Sequence, residues 1–81
     1  MSNEESHEYL LIQHRPDAQK RIFVQDYGEH TLIHFREFYL PDEEVEYRHG
    51  KAGITFHLEA LDSIIEALEK IREDRDAGKF E

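Results

Sequence analysis

The sequence predicts an α+β domain: a curved antiparallel sheet of four or five strands, then one C-terminal amphipathic helix, assembled as a dimer. Three observations carry this. Residues 20–27 and 31–40 alternate in hydropathy with period two, the mark of half-buried strands. From Glu59 the apolar period changes to that of a helix. The chain has 81 residues and no cysteine, so neither disulfides nor a Cys-based zinc cluster can staple it, and one helix cannot cover both faces of such a sheet. A second copy is the remaining source of burial.

In chain order, residues 1–8 read as a disordered acidic tail, and a single domain spans residues 9–78, with 79–81 as a short C-terminal tail. "EYLLIQ" (8–13) reads as a short strand. "HRPDAQ" (14–19) reads as a loop, because Pro16 restricts its neighbour and Asp17 favours turns. "KRIFVQDY" (20–27) is a strand, and "GEH" is a hairpin turn in which Gly28 supplies the free backbone.

"TLIHFREFYL" (31–40) is the longest strand. Thr31, Ile33, Phe35, Glu37 and Tyr39 share one face; Leu32, His34, Arg36, Phe38 and Leu40 share the other. Both faces are partly apolar. "PDEE" turns the chain, "VEYRH" reads as a further short strand and "AGITFHL" as the last. Leu61, Ile64, Ile65, Leu68 and Ile71 then form the apolar stripe of the helix and the expected dimer interface. Arg72 and Arg75 suit the C-terminal end of the helix dipole, and Gly78 its stop.

Lys and Arg number 10 against 19 Asp and Glu, a formal charge of -9 that argues against indiscriminate nucleic-acid binding. The acid is segregated, however. It concentrates in the tail, in Asp42–Glu46 and beyond Glu59, whereas residues 47–57 carry Arg48 and Lys51 and no acid. A locally neutral or basic sheet face is compatible with that pattern.

The N-terminus lacks a basic segment and a long apolar run, so neither a signal peptide nor a membrane span is expected. Catalytic patterns are missing too. The three serines, Ser2, Ser6 and Ser63, lie in no nucleophile-elbow context, and no glycine loop of the phosphate-binding kind occurs. Of the six histidines, His30 and His34 share a strand face about 13 Å apart, too far to chelate one ion. The expectation is a protein without enzymatic activity, metal or cofactor.

"VQDYGEHTLIHFREFYLPDEEVEYRHGKAGITF" resembles the C-terminal domain of the positive cofactor 4 transcriptional coactivators. The likeness covers roughly Lys20 to Ile71, is densest in "TLIHFREFY" and "GKAGITF", and includes the amphipathic helix that follows. It implies a curved four-stranded sheet that dimerises through its helix. It also implies binding of single-stranded or melted DNA with little sequence preference, in the regulation of transcription and in contact with the transcription machinery.

By the same resemblance Tyr27 stands where the family has an aromatic in its first hairpin turn, and Arg36 matches the arginine of the long strand. Tyr39 stands where tryptophan is common, and Lys51 is the first of two basic residues before the glycine, with Arg48 and His49 near that corner. The chain departs from the pattern in its hairpin "YGEH", which lacks the usual lysines and leaves His30 as the one group there able to become cationic. Ala52 replaces the second basic residue, and the turn "PDEEVEYRHG" is one residue longer.

Single-strand binders need stacking platforms and a cationic groove. Tyr27 and Tyr39, with Phe38 or Tyr47, are candidates for the first; Arg21, Arg36, Arg48 and Lys51 for the second. Two uses of Arg36 stay open, an ion pair with Glu37 or Glu46 and a phosphate contact. Simple alternation sets Arg36 and Tyr39 on opposite faces, so they share a groove only if the sheet curves strongly or Tyr39 lies past the regular strand. The competing expectation is a dimeric protein-interaction module of the same fold with little or no DNA binding. The lack of a Ser/Lys-rich tail favours a bacterial or phage source and a cytoplasmic location; a eukaryotic source would imply the nucleus.

Overall fold

The computed structural model describes residues 5–81. Strands β1 (Glu5–Arg15), β2 (Ala18–Asp26), β3 (Thr31–Tyr39) and β4 (Arg48–His57) precede a short 3-10 turn, Leu58–Ala60, and helix α1 (Leu61–Asp76). The strands form one open antiparallel sheet in the order β1-β2-β3-β4. The α+β meander with one C-terminal helix is therefore present, with four strands.

The turns explain the differences from expectation. Residues 1–4 of the anticipated tail lie outside the described residues, but Glu5–Glu8 belong to β1 and pair with Phe23–Asp26. The loop expected over 14–19 contracts to Pro16 and Asp17, because pairing runs on to Arg15 opposite Ala18. Proline pre-sets the first turn position, so two residues suffice. Gly28, at φ 86°, closes the β2–β3 hairpin, and Asp26 Oδ1 accepts its N–H at 2.8 Å.

The two strands anticipated after residue 45 are one. Arg36 pairs with Gly53 and Phe38 with His49, so Gly50, Lys51 and Ala52 bulge out opposite Glu37. The bulge breaks the alternation, which is why the sequence reads as two short strands.

The sheet has two unlike faces. On the helix side lie Ile22, Val24, Ile33, Phe35, Ile54 and Phe56, paired across the strands. On the other, open side lie Arg21, Phe23, His34, Arg36, Phe38 and His49. Helix α1 stands off its own face. None of its residues is buried, and a cleft of about 470 Å³ opens between Ile22, Ile33 and Phe35 of the sheet and Leu61, Ile64 and Leu68 of the helix. The molecule measures 46 × 36 × 18 Å, and its radius of gyration of 15.5 Å exceeds the roughly 12 Å of a compact chain of this length.

Candidate nucleic-acid interface

Directly opposed residues on neighbouring strands point to the same side of a sheet. Arg21 of β2 and Arg36 of β3 are such a pair, on the open face. Like charges set directly opposite each other destabilise a sheet, so the pair is a local cost to the fold.

Each arginine is oriented by its surroundings. Arg36 borders Gly53 on β4, where an added Cβ would fall 3.0 Å from its guanidinium carbon. The missing side chain gives the arginine room to cross the strand. Among the described residues no carboxylate pairs with Arg36; in particular Glu37 and Glu46 do not. Arg21 lies over the Phe38 ring, 4.1 Å from its centroid, a cation–π contact. Its Nε donates to Gln19 Oε1 at 2.9 Å, and its Nη1 is 3.6 Å from the Glu8 carboxylate.

Beneath the arginines is an aromatic floor. Phe23 stacks on His34 with centroids 4.7 Å apart, and Phe38 meets the His49 ring edge-on at 4.6 Å. Phe23 and Phe38 are buried, so they support the face rather than offering free rings. His34 is buried as well. Its Nδ1 shares a hydrogen bond with Thr55 Oγ1 at 3.1 Å, and its Nε2 is buried without a partner among the described residues. Burial holds the His34 imidazole below its ordinary pKa, and the nearby Arg36 and His49 charges push the same way. The charged form of His34 is thus disfavoured, and the ring acts as part of the floor.

Other anticipated site residues fall into two groups. Tyr27 and His30, in the β2–β3 turn, line a hollow of about 370 Å³ with Leu32, Thr55 and His57, which belong to the open face. The Tyr27 hydroxyl donates to Gln25 Oε1 at 2.6 Å, and the His30 and His57 rings meet edge to face at 6.3 Å. The hollow begins at Leu32, about 13 Å along β3 from Arg36. Tyr27, His30 and Arg36 therefore share one surface.

Tyr39 and Arg48 do not join them. They pair with each other at the far end of the sheet, in register with the helix-side residues. Tyr39 is exposed, while Arg48 is engaged by Glu44, with Nη2 2.7 Å from Oε1. Lys51 is exposed in the β4 bulge, between the two groups. Strand alternation places His34 on the Arg36 face, as found, whereas sequence reasoning missed Phe23 and Gln19 as parts of that face. It also missed that Arg21 and Arg36 are opposite each other, although centring the hairpin on Gly28 and Glu29 places them so.

No group of three or more metal-ligating side chains lies within reach of one ion among the described residues. Residues 15–67 match the family profile described as Transcriptional Coactivator p15 (PC4). The chain belongs to this family. PC4 proteins are DNA-binding transcriptional coactivators and not enzymes, so the chain carries a domain of DNA-binding coactivator type. The PC4 match includes Arg21, Arg36, Gly53 and both groups of site residues, whereas Glu8 and Gln13 precede it. Comparison with curated proteins and with solved structures finds no match.

Proposed function

We propose that this PC4-family protein is a homodimeric single-stranded-DNA-binding coactivator of low sequence specificity that acts in the regulation of transcription. The observation that carries this reading is the Arg21–Arg36 couple on the open face, one member stacked on Phe38 and the other free of any carboxylate partner among the described residues. A phosphate between them would relieve their repulsion, and the Tyr27–His30 hollow lies where the same strand would continue. No row of side chains reading base edges is needed for such binding, which fits low specificity.

The dimer rests on the other face. Leu61, Ile65, Leu68 and Ile71 are between 40% and 53% exposed, beside an apolar cleft too large to leave to water. The mate's helix is the natural filler, through the stripe that includes Ile64. Fluorescence anisotropy with labelled oligo-dT and a matching duplex at low salt tests the binding claim. Preference for the single strand is the expected result, and negligible binding to both would overturn it.

One observation favours a second reading, an interaction module without DNA binding. Two of the candidate cations, Arg21 and Arg48, already contact carboxylates of the chain, Glu8 and Glu44. The same titration decides between the two.

A further inference from the structure

The guanidinium of Arg21 has two aromatic rings against it. Phe38, at 4.1 Å, is the buried floor. Tyr47, with its ring centroid 5.8 Å from the guanidinium carbon, comes from the β3–β4 loop and is only half-buried. We infer that this loop is an intrachain occupant of the open face, with the Tyr47 ring in the place beside Arg21 that a base of the bound strand would take. The inference rests on the strand-binding reading above.

Several features mark Tyr47 as a seated but displaceable ring. Its hydroxyl accepts from Gln13 Nε2 at 3.0 Å and donates to the Pro16 carbonyl at 3.1 Å, and both bonds are at exposed positions. Water can replace them at small net cost. Gln13 also accepts from Gln19 Nε2 at 2.9 Å, and Gln19 in turn accepts from Arg21. A hydrogen-bonded chain therefore links Tyr47 to the arginine it covers, across β1 and β2.

The loop that carries the ring is weakly held. Glu43 occupies the left-handed region at φ 66°, a conformation that disfavours residues other than glycine, and Val45 is 94% exposed at the tip. Few buried apolar groups oppose its lifting, the signature of a segment that opens locally. Its charge acts in the same direction. Asp42, Glu43, Glu44 and Glu46 give it four carboxylates and no cation before Arg48. A phosphate chain arriving at Arg21 and Arg36 would repel that loop, so strand entry and loop departure are one event. The loop then lowers resting affinity and makes the face available to a strand able to displace it.

The test uses the full chain with wild type, Tyr47→Phe, Tyr47→Ala and Arg21→Ala. Tyr47→Ala should bind oligo-dT about tenfold more tightly, the worth of two lost exposed hydrogen bonds and one competing ring. Tyr47→Phe keeps the ring, so it should gain less, in the same direction. Arg21→Ala should weaken binding with or without the Tyr47 change. Independently, the Gln13 side-chain amide resonances of the wild type should shift on saturation with oligo-dT, as the tyrosine leaves. Circular dichroism melting checks that each variant folds.

If the wild type binds and both Tyr47 variants bind equally or more weakly, the ring is a bystander or a stacking platform and the loop inference is overturned. Unmoved Gln13 amides at saturation overturn it too. If no variant binds oligo-dT, the strand-binding reading itself fails.

Discussion

The two faces of the sheet are built from the same strands and differ in what they leave undone. The helix side has apolar residues in excess of what its own helix covers, so Leu10, Ile12 and Ile54 stay between 42% and 53% exposed. The open side buries its aromatics under its own arginine, glutamine and histidine side chains, and is left with unspent charge instead. One face lacks apolar cover and the other lacks an anion. On the proposed reading, strand alternation alone separates assembly from binding, because neighbouring residues on β3, such as Phe35 and Arg36, face opposite sides.

The helix side is the more vulnerable of the two faces. Ile65→Asp or Leu68→Asp places a charge in the expected interface, at about 3–5 kcal/mol if it is buried unpaired, which is over a hundredfold in association. Sedimentation should show a dimer for the wild type and a monomer or unfolded chain for the variants. A stable folded wild-type monomer at micromolar concentration would refute the dimer.

The next largest effect belongs to the open face. Arg36→Gln should weaken oligo-dT binding roughly ten- to hundredfold, the range of a charge-assisted hydrogen bond. The salt slope should become shallower by about 0.7 for the lost phosphate contact. Unchanged oligomeric state in the same variant would confirm that the faces act separately; loss of the dimer would mean they do not.

How much of this is legible in the sequence depends on which physical signal a residue carries. Ile22, Val24, Ile33 and Phe35 alternate cleanly, so β2, β3 and their two faces can be read directly, as can the helix from its 3.6 period. The end of β1 is obscured because Pro16 and Asp17 suggest a longer loop than they form. The unity of β4 is obscured by its bulge at Gly50–Ala52. Tyr39 and Arg48, candidates by resemblance, stand apart from Arg36, as simple alternation already sets Tyr39 and as the register of β4 sets Arg48. Gln19 sits in a stretch that reads as loop, so only the register makes it part of the face, whereas alternation already sets His34 beside Arg36.

Gly53 offers a finer probe of that floor. In Gly53→Ala the new methyl would fall 3.0 Å from the Arg36 guanidinium carbon and 3.1 Å from its Cγ, so the whole side chain must shift, at a cost of about 1 kcal/mol. The shift takes the guanidinium out of the room that Gly53 leaves for it. Binding should weaken by about fivefold, near 1 kcal/mol, with the fold intact by circular dichroism. Full wild-type affinity would show that Arg36 needs no such room to act.

The smallest expected effect is a pH dependence of stability that originates on the open face. Folding lowers the pKa of His34 from its ordinary 6.5, first through burial and then through Arg36 and His49. Between the lowered folded value and 6.5 the unfolded chain binds more protons than the folded one, so stability rises with pH in that interval. The contribution is complete above pH 6.5 and is lost as pH falls towards and through the folded value. Melting temperature measured from pH 7.5 to 5 should therefore decline on the acid side, and His34→Gln should flatten that part of the curve. A bound strand adds a second test, because phosphate beside Arg36 opposes the charge that disfavours protonation of His34. With oligo-dT present the folded pKa should move back towards 6.5, so the acid-side loss should shrink and the free and bound curves should diverge below pH 6.5. If His34→Gln leaves the wild-type curve unchanged, the buried imidazole does not govern the acid response, and the open face is held together by its arginine–aromatic contacts alone.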